Sequence, residues 1–432
     1  MSIRGDLSRL AKKERLSLHM PGHKGLRHTW DTTELPGTDN LLAPGGSIKE
    51  LEEAIARIYG CRRSYLGTNG STGLLLSAMM KGGRGTRTLL PRSAHLSLYK
   101  GLVLMNQEPR YLPVTRDSLG LARPPKAEDY GPLLPGVDNV VFSSPSYEGL
   151  IEDYAALLPS LKGRLSILDG AHGSHHYYIR ESRNAFMDLT VHSFHKTLGA
   201  MNQAAVLLSN LEEDLRQEAS FFQTSSPSFP ILASVEDSLR EMMAWKIPEK
   251  LRLMESLVRN IREIPGLHVL PNEDPLKLIL LGPEGWDMQL LGAWLREREG
   301  IYMEMEEPGY LLGILSLYDS PEGYRHLLRG LKKAARHFRL SGEPAPLTFH
   351  TEALPEMKLL PGEGAFAPRR LASLREAQGQ VSAAFYTPYP PGIPSLVPGE
   401  VIGEDFLRSL PGREAGYLGG RELLEGQIWV IR

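Results

Sequence analysis

Short apolar runs that end in polar or glycine-rich turns recur along the first half of the chain. They centre near residues 65, 89, 141, 167, 191 and 206, and segments with helical or loop character lie between them. Two parallel strands need a crossover of about a dozen residues or more, usually a helix. The alternation therefore predicts an α/β fold with a mostly parallel sheet and helices on both faces.

A helix is predicted to begin at Ser47, because Ser47 and Glu50 have the spacing of a capping box. Gly60 stands where a helix-ending glycine belongs. Between these ends the apolar residues share one helical face, and they are Ile48, Leu51, Ile55 and Ile58. We expect this helix to have a structural role.

The second half of the chain predicts a smaller α/β domain followed by an irregular C-terminal region. Proline and glycine are dense from Pro344 onward, and the prolines of residues 388–394 predict a rigid extended segment. The elements predicted before Pro344 are a helical region over residues 231–264, strands at 277–281 and 310–315, a helix around 290–295 and a helix at about 322–338.

With 432 residues the chain is too long for one small core, so two or more domains are expected. A hydrophobic content of 41% and a charged content of 23% are typical of globular proteins. The net charge of −2 gives no reason to expect a nucleic acid or a membrane as partner. The single cysteine, Cys61, fits a reducing cytoplasm, and neither a signal-peptide core nor an apolar run long enough for a bilayer is present.

The candidate chemistry lies at the ends of two apolar runs. Asp169 ends the run 165–168, and Lys196 follows the run 189–191, with small polar neighbours on both sides. The two residues are about one strand-to-strand repeat apart, so we expect both to face one crevice at the carboxyl ends of the strands. A lysine in such a polar turn is a candidate for covalent attachment of a carbonyl cofactor.

A glycine-rich turn at residues 69–73 lies between a strand end and a helix start. Backbone N–H groups at a helix N-terminus, together with the hydroxyls of Ser71 and Thr72, can hold a phosphate. The turn is neither a Walker A loop nor a GxGxxG motif, so a nucleotide is not favoured. An ordinary turn between strand and helix remains an open alternative.

These residues together match the requirements of pyridoxal 5'-phosphate. The cofactor needs a lysine, a carboxylate that keeps its ring nitrogen protonated, a flat ring to stack on it and a phosphate site. His95 and His172 offer the rings, and Ser71, Thr72, Ser193 and His195 offer phosphate donors. The cluster His172, His175 and His176 raises the alternative of a metal, but no acid or cysteine lies at a familiar spacing, so no metal site is predicted.

Six motifs in the chain resemble the ornithine/lysine/arginine decarboxylase family, which belongs to fold type I of the pyridoxal phosphate enzymes. They occur in family order over nearly the whole chain: HMPGHKG at 19–25, NGSTG at 69–73, DGAHG at 169–173, SFHKTL at 193–198, TSSPS at 224–228 and PYPPGIP at 388–394. The resemblance implies an aspartate-aminotransferase-like large domain. The expected divisions are an N-terminal segment at 1–45, a cofactor-binding large domain at 46–250, a small α/β domain at 251–343 and a decarboxylase-type C-terminal region at 344–432.

The resemblance also implies roles for single residues. Lys196 would bind the cofactor covalently, Asp169 would pair with its ring nitrogen, His95 would stack on its ring and His172 would lie beside it. Its phosphate would be held by Gly70, Ser71, Thr72, Ser193 and His195, with Ser225 or Ser226 reaching it from a second subunit. The residues expected to read a cationic substrate are His23, Glu148, Glu304 and Glu306, with Glu400 as a further acidic candidate.

The implied reaction is decarboxylation of a basic amino acid, with arginine favoured over lysine and ornithine. The chain lacks the large N-terminal wing of the inducible bacterial enzymes and resembles the shorter biosynthetic members, so we expect a homodimer or higher homo-oligomer with shared active sites. Gly170 departs from the family pattern, which usually has an acid there. Another fold type I reaction, such as transamination or elimination, and a non-catalytic homologue are the alternatives, because a fold does not define a function.

Overall fold

The computed structural model describes residues 2–13, 16–26, 28–152, 154–179, 187–410, 412, 416–418 and 420–432. The helices among them are α1 (Ile3–Lys13), α2 (Ser47–Tyr59), α3 (Gly70–Lys81), α4 (Leu96–Met105), α5 (Ala127–Tyr130), α6 (His176–Ile179), α7 (Phe194–Thr197), α8 (Arg216–Phe221), α9 (Phe229–Ala244), α10 (Ile247–Arg262), α11 (Met288–Trp294), α12 (Pro321–Phe338), α13 (Pro361–Phe366) and α14 (Glu404–Ser409). Among the described residues, no helix combines the length and the apolar character that a membrane span requires.

The strands are given in chain order: β1 (Arg63–Gly67), β2 (Arg87–Pro91), β3 (Glu108–Leu112), β4 (Thr115–Asp117), β5 (Ala122–Arg123), β6 (Asn139–Ser143), β7 (Leu165–Asp169), β8 (Leu189–Ser193), β9 (Ala205–Ser209), β10 (His268–Val269), β11 (Lys277–Leu281), β12 (Met305–Glu306), β13 (Leu311–Ile314), β14 (Phe349–Thr351), β15 (Arg369–Ser373), β16 (Thr387–Pro388), β17 (Tyr417–Leu418) and β18 (Gln427–Ile431). Every strand expected in the first half of the chain is present. The sequence prediction of alternating strands is therefore confirmed.

The large sheet has the strand order β1-β9-β8-β7-β6-β2-β3. The pairings from β8 to β3 are parallel, and β9 pairs antiparallel with both of its neighbours. Strand β9 is therefore the one reversed strand of this sheet, and the other strands all end at the same edge. The loops that follow β1, β2, β6, β7 and β8 meet at that edge, which positions the site.

A second sheet, with the order β10-β11-β13-β12, is antiparallel throughout and confirms the smaller α/β unit in the second half of the chain. A continuous apolar core connects it to the large sheet. This core includes Val206 of β9, Leu232 of α9, Leu257 of α10 and Leu278 of β11. The small sheet is thereby packed against the large one, and its first residues lie close to the large sheet's functional edge.

Two local predictions are wrong. The helical region expected over 231–264 is two helices, α9 and α10, which are separated at Trp245 and Lys246, with Pro248 at the start of the second. Residues 388–394 do not run extended throughout, because β16 ends at Pro388 and the chain then turns, reaching a φ of 88° at Gly392.

The start of α2 also differs from the capping-box prediction. The helix has no side-chain cap from Ser47, whose hydroxyl has no hydrogen-bond partner within the described chain. Asp39 takes that role instead, because its carboxylate accepts hydrogen bonds from the N–H groups of Gly45, Gly46 and Ile48 at 2.8–2.9 Å. Gly60 ends the helix in the left-handed conformation with a φ of 68°, as predicted.

We predict that Asp39→Ala lowers the free energy of unfolding by about 1–2 kcal/mol, whereas Ser47→Ala changes it little. Burial by itself raises the pKa of Asp39, but the hydrogen bonds from the backbone of Gly45, Asn40, Gly46 and Ile48 lower it overall. A depressed folded-state pKa adds stability above the unfolded value, and this stability is lost as the pH falls through the folded pKa. Urea denaturation at pH 7 and below pH 4 measures both effects; equal losses in the two variants would contradict the assignment.

Candidate active site

A cavity of about 790 Å³ opens at the carboxyl edge of the large sheet. Its volume lies within the usual range of small-molecule sites. The residues that line it come from the loops after five strands and from the proline-rich C-terminal segment: Ser71, Leu75, Pro91, Ser93, His95, Ala122, Arg123, Pro124, Pro125, Ser143, Pro145, Ser146, Tyr147, Glu148, Asp169, Ala171, His172, Lys196, Pro391 and Ile393. Both predicted strand-end residues, Asp169 and Lys196, face this cavity, so the expected common crevice is confirmed.

Lys196 reaches the cavity from α7, the single helical turn that follows β8. Asp169 is the last residue of β7, and its carboxylate accepts a hydrogen bond from the Ala171 N–H at 3.1 Å. Burial lowers the pKa of Lys196, and the carboxylates of Asp169 and Glu304 only partly oppose this effect. A lysine with a lowered pKa has more of the unprotonated amine that a nucleophile requires.

The imidazole of His172 lies between two lysine amines. Its Nε2 is 3.0 Å from Lys196 Nζ, and its Nδ1 is 3.2 Å from Lys277 Nζ. Burial lowers the pKa of His172 well below its usual value, and the charges of Lys277 and Lys196 lower it further. The ring is therefore neutral near pH 7. Lys277 begins β11 of the small sheet, and the sequence analysis missed it, although a lysine that opens an apolar strand (KLILL) was a visible signal.

His95 caps the N-terminus of α4 on the opposite wall. Its Nδ1 accepts a hydrogen bond from the Ser97 N–H at 3.2 Å and lies 2.8 Å from the Ser97 hydroxyl. A Cβ atom on Gly392 would come within 2.9 Å of His95 Nε2, so the C-terminal segment packs closely on the ring. Burial lowers the pKa of His95, against the opposing charge of Asp169.

The predicted phosphate donors are only partly brought together. Ser71 lies in the first turn of α3 and lines the cavity, and the buried Ser193 and Ser143 hydroxyls have no hydrogen-bond partner within the described residues. The Gly70 N–H is donated to the Gln203 carbonyl at 2.9 Å, so that amide is already in use. Four other residues are placed outside the cavity lining: Thr72, His195, Ser225 and Ser226, the last two on an exposed segment.

The acidic side chains predicted for substrate binding divide into two groups. Glu148 lines the cavity and is buried, with its carboxylate accepting from the Ser146 hydroxyl at 2.9 Å. Burial raises the pKa of Glu148. Glu304 accepts a hydrogen bond from the Tyr147 hydroxyl, and the Tyr147 ring lies edge-on to His172 with centroids 5.0 Å apart. Glu148 and Glu304 therefore belong to the surroundings of the cavity.

Three other candidates are engaged elsewhere, which corrects the sequence prediction. His23 Nε2 lies 3.0 Å from the Asp31 carboxylate, and Glu306 pairs with Arg296. Glu400 is fully buried in a two-pronged ion pair with Arg92, with distances of 3.0 and 3.1 Å. None of these three acids and bases is among the residues that line the described cavity, and a paired, buried carboxylate such as Glu400 is a structural group.

The reason given against a metal site is also corrected. The fold brings an acid, Asp274, to His175 and His176, although no acid lies near them in sequence. Asp274 Oδ1 is 2.9 Å from His175 Nε2, and Oδ2 is 3.4 Å from His176 Nε2. These two histidines lower the pKa of Asp274 against the effect of its burial. The three side chains are partners of one another, and the absence of a metal stays a prediction.

Comparisons with known proteins identify the family. The model described as "Orn/Lys/Arg decarboxylase, major domain" matches residues 22–265, and its C-terminal domain matches residues 352–411. The chain belongs to the Orn/Lys/Arg decarboxylase family. These are lyases that depend on pyridoxal phosphate, and the proposed fold type I architecture is confirmed.

Individual members of the Orn/Lys/Arg decarboxylase family resemble the chain over most of its length. An arginine decarboxylase of Bacillus subtilis is 26% identical, over 93% of this chain and 91% of its own. The constitutive lysine decarboxylase of Escherichia coli is 25% identical, over 91% of this chain and 73% of its own. The crystal structure of a Francisella novicida lysine decarboxylase matches the fold with a TM-score of 0.84 at 18% identity, covering 99% of this chain and 80% of its own.

The residues present in the cavity fit the family's cofactor. A buried amine, a strand-end carboxylate and a histidine ring are placed around one space, and unpartnered serine hydroxyls lie beside it. Unpartnered buried hydroxyls are uncommon in folded proteins, and a bound phosphate would satisfy them. The amine that would hold the aldehyde of the cofactor is that of Lys196, and the carboxylate that would face its ring nitrogen is that of Asp169.

Gly170, the position at which this decarboxylase departs from the family pattern, is occupied from outside by His192. A Cβ atom on Gly170 would lie 2.8 Å from His192 Cε1 and 2.9 Å from Nδ1. The same ring pairs its Nδ1 with the Gly170 carbonyl oxygen at 2.6 Å and is fully buried. A side chain at residue 170 therefore has no room, which explains why the usual acid is absent here.

We predict that Gly170→Ala lowers the free energy of unfolding by about 1–3 kcal/mol, because the added methyl group overpacks a buried contact. Gly131→Ala is the matched control, since a Cβ atom there meets nothing within 4 Å. Thermal and urea denaturation of the two variants measure the difference. A Gly170→Ala protein as stable as the control would contradict the close-packing explanation.

Proposed function

We propose that this decarboxylase converts arginine to agmatine and carbon dioxide, with lysine and ornithine as weaker substrates. The observation that carries the proposal is the placement of a buried carboxylate, Glu148, in the same cavity as Lys196 and Asp169. A cationic side chain needs an anionic partner when it leaves water. Relatives whose names specify arginine also align over 90% or more of their own length, which supports arginine over the other two amino acids.

Pyridoxal phosphate, when bound, supplies a sink for the electron pair that remains after the carboxylate leaves. The side chains of this protein supply the rest. Asp169 holds a negative charge at the place where a protonated ring nitrogen needs a partner, and the ring of His95 provides a flat contact surface. The N-terminus of α3, with Ser71, presents N–H groups and a hydroxyl to an anion.

Proton movement is assigned to His172 and Lys196. Their nitrogens are 3.0 Å apart, which is hydrogen-bonding distance. Loss of carbon dioxide must be followed by the addition of one proton at the carbon that carried the carboxylate. Lys196 and His172 both line the cavity and can hold and pass that proton.

The substrate's far end is assigned to the wall formed by Glu148 and Tyr147. The Tyr147 hydroxyl is oriented by Glu304, and its ring face lies 5.7 Å from the Lys277 ammonium. A guanidinium can form two parallel hydrogen bonds with a carboxylate, whereas an ammonium forms a point contact. Arginine therefore gains more than lysine from a buried carboxylate at this position.

We also propose that the protein acts as a cytoplasmic homodimer or higher homo-oligomer in polyamine biosynthesis. The N-terminal segment supports an oligomer, because it exposes several large apolar side chains that an interface would cover. Their exposed fractions are 74% for Leu16, 85% for Leu18, 66% for Met20 and 87% for Leu26. Ser225 and Ser226, exposed in the single chain, are then available to reach a neighbouring cavity.

We predict that the purified protein with pyridoxal phosphate forms agmatine from arginine faster than it forms cadaverine from lysine or putrescine from ornithine. Lys196→Ala should lose visible cofactor absorbance and at least about 10³-fold in rate. Lys162→Ala, on an exposed position, is the control. Mass spectrometry of the amines and released carbon dioxide measure the products. A larger rate with lysine or ornithine refutes the substrate, and a keto acid product refutes the reaction.

We predict that Glu148→Gln lowers kcat/KM for arginine about 10- to 100-fold, because a hydrogen bond to a charged group contributes about 1.5–3 kcal/mol. The isosteric amide retains an acceptor for the Ser146 hydroxyl, so the fold should be unchanged. Glu255→Gln, on the exposed face of α10, is the matched control. Steady-state kinetics with arginine provide the measurement. Equal kcat/KM values in the two variants would remove Glu148 from substrate binding.

A further inference from the structure

Both ring nitrogens of His172 are within hydrogen-bonding distance of a lysine amine, at 3.0 Å for Lys196 and 3.2 Å for Lys277. A neutral imidazole has one N–H donor and one acceptor nitrogen, whereas an ammonium has three donors and no acceptor. If both lysines were protonated, the N–H side of the ring would face a donor and make no hydrogen bond. At least one of the two amines is therefore a free base.

The charged surroundings distinguish the two lysines. Those that face Lys277 are the carboxylates of Asp274, Glu148 and Glu304, the ammonium of Lys196, the ring of His172 and the ring face of Tyr147. Lys196 has Asp169 and Glu304 as its carboxylates and lacks a comparable cluster. Three nearby carboxylates and an aromatic face stabilise a cation, so Lys277 is the amine that keeps its proton.

We propose that Lys277 is a positioning residue whose ammonium donates to His172 Nδ1, places the ring hydrogen on Nε2 and thereby holds Lys196 as a free-base amine. The His172 Nε2–H then donates to the lone pair of Lys196 Nζ, and every polar atom in the row has a complementary partner. Burial lowers the pKa of Lys277 to about 8, which still leaves it mostly protonated at pH 7. The inference rests on the proposed function only in its use of the Lys196 amine.

The backbone holds Lys277 at this place. Gly149 has a φ of 91°, and a Cβ atom there would come within 2.8 Å of Lys277 Cβ. The loop after β6 therefore packs directly on the stem of a side chain that begins β11 of the other sheet. The position of Lys277 depends on the packing of the small sheet against the large one.

The test uses the full chain freed of cofactor, to which pyridoxal phosphate is added between pH 6 and pH 10. Covalent attachment to Lys196 is followed by visible absorbance, without substrate. In Lys277→Met the pH of half-maximal rate should rise by about one unit, so attachment at pH 7 slows about ten-fold, because a neighbouring cation and its hydrogen bond are lost. Lys277→Arg, which retains a permanent charge, should stay near the wild-type midpoint.

Lys332→Met, at an exposed position on α12, is the control and should match the wild type. An unshifted midpoint in folded Lys277→Met overturns the proposal. If that variant does not fold, the wild-type chain decides: histidine ¹⁵N resonances, with His172 assigned through His172→Gln, should place the hydrogen on Nε2, and a hydrogen on Nδ1 overturns it. Absence of decarboxylation together with a shifted midpoint would refute the proposed function and leave the role of Lys277 standing.

Discussion

The site depends on one electrostatic constraint: two lysine amines are buried within reach of the same neutral imidazole. Buried like charges are unfavourable, so the fold must supply carboxylates and must leave one amine without its proton. Asp169 and Glu148 provide carboxylates from the large sheet's loops, and Asp274 provides one from the small domain. The low pKa of His172 has the same origin, because a protonated ring between two amines would add a third positive charge.

The parallel arrangement of the large sheet makes this concentration of functional groups possible. Strands that share a direction also share a carboxyl edge, so loops far apart in sequence converge there. The C-terminal region closes the same cavity with Pro391 and Ile393, and Gly392 allows it to approach His95 closely. Family membership and site geometry therefore support the same reaction class through independent observations.

Gly170 illustrates how one departure from a family pattern follows from packing. Sequence comparison alone presents it as a missing acid beside a catalytic aspartate. The structure shows that the buried His192 ring occupies the space that a side chain would need and pairs with the Gly170 carbonyl. The exchange alters the surroundings of Asp169 without removing its carboxylate from the cavity.

The sequence by itself determined the alternating strands, the strand-end positions of Asp169 and Lys196, and the family, because apolar periodicity and short motifs are local properties of the chain. Only the tertiary structure brought Lys277 to His172, replaced the expected Ser47 cap with Asp39, and moved Glu400 from the substrate candidates into an ion pair with Arg92. Each of these contacts joins residues that are separated in sequence, from about ten positions to more than three hundred. Their pairing depends on how the two sheets and the C-terminal region pack, and local patterns carry no information about that packing.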